Sequence, residues 1–199
     1  MIKIDALGKP CPIPVIEAKK ALNNPETDSV IILVDNLVSI QNLEKMANGY
    51  GYTFSHTMTS ANEFTAVISK NELQDGVIPL INLQSNTETN TAVFISSNTM
   101  GKGEEELGKI LIKGFIYSLS ELLNPPEYLV FFNSGVKLTS KESNTIEDLK
   151  KITEKGTKVL ACGTCVNYYN LGDEIAIGTI VNMYEITEIM TSCEKIINI

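Results

Sequence analysis

Apolar residues recur along the first seventy or so positions in two alternating rhythms. IKIDAL, SVIILVD, YTFSHTM and EFTAVISK are rich in β-branched and aromatic residues, largely at period two, and read as strands. Between the first two, Val15, Ile16, Ala18, Ala21 and Leu22 follow helical spacing among good helix formers, which predicts a helix from Pro12 to Asn23. LVSIQNLEKMANGYG predicts a second helix, capped by Ser39 or Asp35 and stopped by Gly49 and Gly51. NPETD and TSAN are turn segments. The order β-α-β-α-β-β implies a two-layer sandwich, with two helices on one face of a four-stranded sheet.

The rhythm lapses after this stretch. LQSNTETNT is polar and rich in turn formers, so residues 73–90 read as a linker, with the apolar VIPLINL expected to dock on one of its neighbours. Alternation then resumes. TAVFISS, EYLVFFN, TKVLACG and EKIINI read as strands, and GEEELGKILIKGFIYSLSEL, NTIEDLKKITEKG and NMYEITEIMTSC as helices. A short helix is expected from Thr164, an extended stretch in EIAIGTIV and a loop in SGVKLTSKES. Strands alternating with helices predict a flavodoxin-like, three-layer α/β domain with a parallel sheet. The expected domains are therefore 1–72 and 91–199.

Composition narrows the function. The 199 residues suffice for two cores without disulfides, and a net charge of −8 argues against nucleic acid as the main partner. No apolar run approaches the span of a bilayer and no secretion signal is visible, so a soluble, cytoplasmic protein is expected. Four cysteines stand at 11, 162, 165 and 193, and the lone histidine, His56, reads as a surface residue. That set supplies too few ligands for a zinc site, so no metal is expected. ISSNTMGKGEEELGK has glycines between strand and helix but lacks both GxxxxGK[ST] and GxGxxG.

Two cysteine stretches hold the candidate chemistry. In KPCPIP, Cys11 is set at or just before a helix start, with Pro12 and Pro14 inside the first turn, where a missing N–H costs nothing. The helix N-terminus and Lys9 both favour the thiolate over the thiol. The alternative is a small buried cysteine beside a rigid turn. In CGTC, Cys162 ends a strand of the parallel sheet, where ligands gather, and Cys165 starts the next helix. Such a pair suits dithiol–disulfide cycling, a half zinc site or a purely structural role. Asn133 and Gly135, at the end of the preceding strand, are placed to present a polar side chain and backbone amides toward Cys162. Cys193 reads as a core residue.

IDALGKPCPIPVIEAKKAL resembles the CPxP signature of the TusA/SirA sulfur-carrier family, and the second half resembles the DsrE/DsrF-like family. Together with MGKGEEELG, FFNSGVKLT, CGTC and NMYEI, the chain resembles the two-domain YedF group of sulfurtransferase-like selenium metabolism proteins. The resemblance implies that Cys11 matches the persulfide-carrying cysteine, and that Cys162 matches the sulfur-accepting cysteine of DsrE-type relay subunits. It also implies a cysteine desulfurase-like donor, a downstream chalcogen acceptor and no cofactor beyond the covalent persulfide or perselenide. Relay subunits follow their cysteine with a basic segment, whereas VNYYNLGDE here is neutral to acidic, and Cys165 is additional. A chalcogen carrier is the leading expectation. A non-catalytic binding module and a dithiol redox protein using CGTC are the alternatives, and a homo-oligomer through the C-terminal domain is expected.

Overall fold

The computed structural model describes residues 1–60, 62–70 and 90–199, which fall into two compact units. The expected linker, apart from Asn90, and the VIPLINL segment lie outside the described residues. Asn90 belongs with the second unit, since its side-chain oxygen accepts from Cys193 Sγ at 2.9 Å.

The first unit runs β1 (Ile2–Asp5), α1 (Ile13–Asn23), β2 (Ser29–Val34), α2 (Leu37–Gly49), β3 (Thr53–Ser60) and β4 (Glu63–Ser69). The sheet order is β1-β2-β4-β3, with β1 and β2 parallel across α1 and the remaining pairs antiparallel. Period-two alternation buries Val30, Ile32 and Val34 on the helix side. Against them α1 packs Pro14, Ala18 and Leu22, one residue per turn, and α2 packs Ile40, Leu43 and Ala47. This is the expected two-layer sandwich. Its caps differ from expectation. Asn36, rather than Ser39 or Asp35, caps α2 by accepting from the Ser39 N–H at 2.8 Å. Asp35 instead accepts from the Gly8 N–H at 2.8 Å. His56 is exposed on β3, as expected.

The second unit contains β5 (Thr91–Ile95), α3 (Glu105–Ser120), β6 (Tyr128–Phe131), α4 (Ile146–Glu154), β7 (Lys158–Cys162), α5 (Gly163–Tyr168), β8 (Thr179–Val181), α6 (Met183–Ser192) and β9 (Lys195–Asn198). All five strands are parallel, in the order β8-β7-β6-β5-β9. From β5 to β8 the chain steps one way. From β8 it returns past three strands to pair β9 with the far side of β5. A right-handed crossover made in the reverse direction must put its helix on the opposite face. Accordingly α3 and α4 cover one face through Ile112, Ile116, Leu149 and Ile152, while α6 covers the other through Ile186. The parallel three-layer fold is as expected. The segment expected as a loop after β6 is instead a 3-10 helix, Asn133–Thr139, folded over the end of the sheet. Among the described residues no helix is long and apolar enough to cross a membrane.

Candidate functional site

Cys11 is exposed and lies two residues before α1. Pro12 sits at the N-cap position with φ −97°, so it precedes the helix rather than joining its first turn, and Pro14 alone occupies that turn. The Ile13 N–H, one of the helix's spare donors, closes on the Pro10 carbonyl at 3.0 Å. Pro14 is buried, so the helix start turns inward at this proline while Cys11 stays on the surface. The turn before the cysteine is pinned as well, by the Gly8–Asp35 bond. The Gly8 N–H and then the Asn36 amide hold the Asp35 carboxyl below its ordinary range.

The sulfur's surroundings differ from expectation in two ways. Lys9 does not stand as a free cation beside Cys11, because its Nζ is bound to Glu17 Oε1 at 2.7 Å. The donor on the sulfur is the side-chain amide of Asn42, which reaches Sγ at 3.3 Å from α2. Asn42 went unrecognised in the sequence, since it is 31 positions away and nothing but tertiary packing brings it near. Replacing Asn42 with Ala is expected to slow alkylation of Cys11 about three- to tenfold, the worth of one hydrogen bond. Because Asn42 is only part-buried on a helix surface, the unfolding midpoint should hardly move. Iodoacetamide kinetics and a thermal melt read the two effects separately.

The CGTC stretch bends from β7 into α5, with Cys162 at the N-cap position and Cys165 in the first turn. A spacing of three places both side chains on one side of that turn, and Cys165 packs against the apolar cluster that contains Cys162. Their environments differ sharply. Cys162 is 0% exposed, in an apolar cluster with Phe94, Val130 and Ile186. Cys165 is partly exposed. Its Sγ accepts from the backbone N–H of Asn133 at 3.0 Å. Asn133 holds a left-handed φ of 48°, and its side-chain oxygen accepts from the Tyr169 hydroxyl at 3.1 Å. Lys137 Nζ lies 4.5 Å from the centre of the Tyr169 ring.

The segment after β6 therefore reaches CGTC, but through other atoms than expected. Asn133 acts on Cys165 through its main chain, not on Cys162 through its side chain. Gly135 presents no amide to the sulfurs, for its N–H donates to the Phe132 carbonyl at 3.0 Å. A Cβ there would lie 2.2 Å from the Ile95 carbonyl oxygen, so glycine is what lets the 3-10 helix settle on β5. A groove of about 510 Å³ opens alongside, lined by Asn98, Lys109, Lys137, Ser140, Glu142 and Leu171 among others, without either cysteine. Cys193 is part-buried and bonded to Asn90, in keeping with a structural role.

Burial pushes the Cys165 thiol above its ordinary value; the Asn133 N–H opposes this, and the Cys162 thiol adds to it. Alkylation of Cys165 should thus rise about tenfold per pH unit through neutrality and go on rising past about pH 8.5, because only the thiolate reacts. A plateau below that value would contradict the assignment.

Residues 2–70 match the family model of the sulfurtransferase TusA, and residues 115–199 match the DsrE/DsrF-like family, starting within α3. A proposed sulfur carrier protein of Methanocaldococcus jannaschii is 32% identical over 71 residues, which is 35% of this chain and 95% of that protein. The chain belongs to the TusA family. Its TusA unit is also similar to a SirA-like protein of Desulfitobacterium hafniense, at 47% identity over 36% of this chain and 100% of that one, with a TM-score of 0.34. The DsrE/DsrF-like unit is similar to the ychN protein of E. coli, at 16% identity over 55% and 99% of the two chains, with a TM-score of 0.44. A protein of unknown function from Methanobacterium thermoautotrophicum matches at 18% identity over 55% and 97%, with a TM-score of 0.43. Sulfur carrier homology thus attaches to the TusA unit, the one that bears Cys11.

Proposed function

We propose that this protein is a two-domain chalcogen carrier of the YedF type, with a carrier domain at 1–72, a relay domain at 91–199 and residues 73–90 joining them. A cysteine desulfurase-like donor loads Cys11 with a persulfide, or with a perselenide where the donor supplies selenium. The atom is then exchanged with the Cys162–Cys165 pair and handed to a downstream acceptor. The observation that carries this reading is the exposed Cys11, fixed at the start of α1 in a TusA fold with the Asn42 amide on its sulfur. An accessible sulfur with a neutral donor suits a group that must be loaded and unloaded by other proteins.

The test is to incubate the full chain with a desulfurase and cysteine and to map the product by mass spectrometry. An addition of about 32 Da per sulfur on the Cys11 peptide, removed by a thiol reductant, is expected. A chain that remains unmodified overturns the reading.

The packing of Cys165 against the cluster that holds Cys162, at the start of α5, favours a second reading, a dithiol redox protein working through CGTC alone. It requires full activity in Cys11→Ala, which the carrier reading forbids. Self-association through the second unit completes the proposal, because α3 exposes Leu107, Ile110 and Leu111 along its outer side. Sedimentation of the full chain as a monomer at micromolar concentration would remove that part.

A further inference from the structure

We propose that, within CGTC, Cys165 receives the incoming sulfur atom and Cys162 resolves it. This rests on the reading of the chain as a sulfur-transfer protein, and it reverses the order that strand-end position alone implies.

The first reason is room. A persulfide extends a cysteine by one sulfur atom at an S–S distance of about 2 Å. Cys162 is 0% exposed and packed among Phe94, Val130, Val181 and Ile186, so an added sulfur there has nowhere to go and no donor protein can reach it. Cys165 is partly open to solvent. The second reason is polarity. The Asn133 N–H points at Cys165 Sγ from 3.0 Å, a donor to the anionic sulfur that attacks. That amide is held in place by the left-handed backbone of Asn133 and by the Tyr169 hydroxyl on its side chain. The third reason is contact. Cys165 packs against the cluster in which Cys162 is buried, both at the start of α5, so the Cys162 thiol stands ready to attack the inner sulfur once Cys165 is loaded.

The steps balance. Cys165 thiolate attacks the terminal sulfur of a donor persulfide, the donor's S–S bond breaks, and the donor leaves as a thiolate that takes up a proton. Cys162 then attacks Cys165 Sγ. The new S–S bond joins the two cysteines, and the outer sulfur departs as hydrosulfide, taking the Cys162 proton. The outer sulfur is reduced as the two cysteines are oxidised, so no outside oxidant enters. Returning the pair to the dithiol takes two electrons and two protons from a dithiol reductant.

The test uses the full chain carrying Cys11→Ser, so its outcome does not depend on whether Cys11 is a carrier. Inorganic polysulfide is the sulfur donor, and tryptic peptides locate the adducts. With Cys162→Ala added, a stable gain of about 32 Da on Cys165 is expected, because nothing resolves it. With Cys165→Ser added instead, labelling of Cys162 should be slower by about tenfold or more. With both cysteines present the adduct should be transient, and the pair should end as a disulfide about 2 Da lighter than the dithiol, with one hydrosulfide released per disulfide. Should Cys162→Ala lose its fold by circular dichroism, Cys162→Ser takes its place in the same assay. The proposal fails if Cys162 is labelled as fast without Cys165 as Cys165 is without Cys162. It also fails if the intact pair keeps a lasting persulfide.

Discussion

Cys11→Ser is expected to abolish persulfide loading of the first unit by a desulfurase and cysteine while leaving the fold intact. A serine hydroxyl stays protonated near neutrality and its oxygen holds no sulfane sulfur, so the loss should be on the order of a hundredfold or more. The stability side follows from position. Cys11 is exposed and Pro14, not Cys11, is buried at the start of α1, so the change in unfolding free energy should stay within about 0.5 kcal/mol. The pairing of these outcomes separates the readings. A binding module would keep its partners in Cys11→Ser, a CGTC redox protein would keep its activity, and only a carrier loses function without losing structure. An undiminished adduct in the variant, mapped to another cysteine, would put loading elsewhere and overturn the carrier assignment.

Gly135→Ala should have the largest effect on stability. The added methyl group would meet the Ile95 carbonyl oxygen at 2.2 Å, a backbone atom that no rotamer change can move. That carbonyl also accepts the Phe132 N–H at 3.1 Å, so relief of the clash strains the joint between β5 and β6. Overpacking of this kind costs about 1–3 kcal/mol or more, and a rigid partner places it at the upper end. Gly135 and Ile95 both belong to the second compact unit, so urea unfolding should shift the transition that belongs to that unit. A displaced 3-10 helix also withdraws the Asn133 N–H from Cys165, so alkylation of that thiol should slow further. An unchanged unfolding profile would mean that the close approach at Gly135 is not a constraint.

Much of this architecture was legible in the chain because apolar spacing speaks directly about faces. SVIILV declares a strand that buries alternate residues, and the spacing of Ile40, Leu43 and Ala47 declares the inner side of a helix. What escaped depends on choices among neighbours that spacing does not rank. Asp35, Asn36 and Ser39 are all competent caps, and the winner was set by Asp35 being engaged with Gly8. SGVKLTS contains glycine, serine and threonine, which mimic a loop, and a seven-residue 3-10 helix has too short a repeat to betray itself. At the sites, cysteine spacing correctly brought Cys162 and Cys165 together but is silent on which is buried. The roles of Asn42 and of the Asn133 main chain arise from packing across distant segments, and neither has a local signature.

The return of the chain to β5 bears on how the protein is made. The first sheet has all its strands once residue 69 has been synthesised, so that half can fold while translation continues. The second cannot close in that way, because Thr91 pairs with Lys195, more than a hundred residues downstream. Until those last strand residues clear the ribosome, one flank of the apolar β5 stays unpaired. A nascent chain paused before that point therefore presents a finished carrier half beside an open, aggregation-prone sheet border.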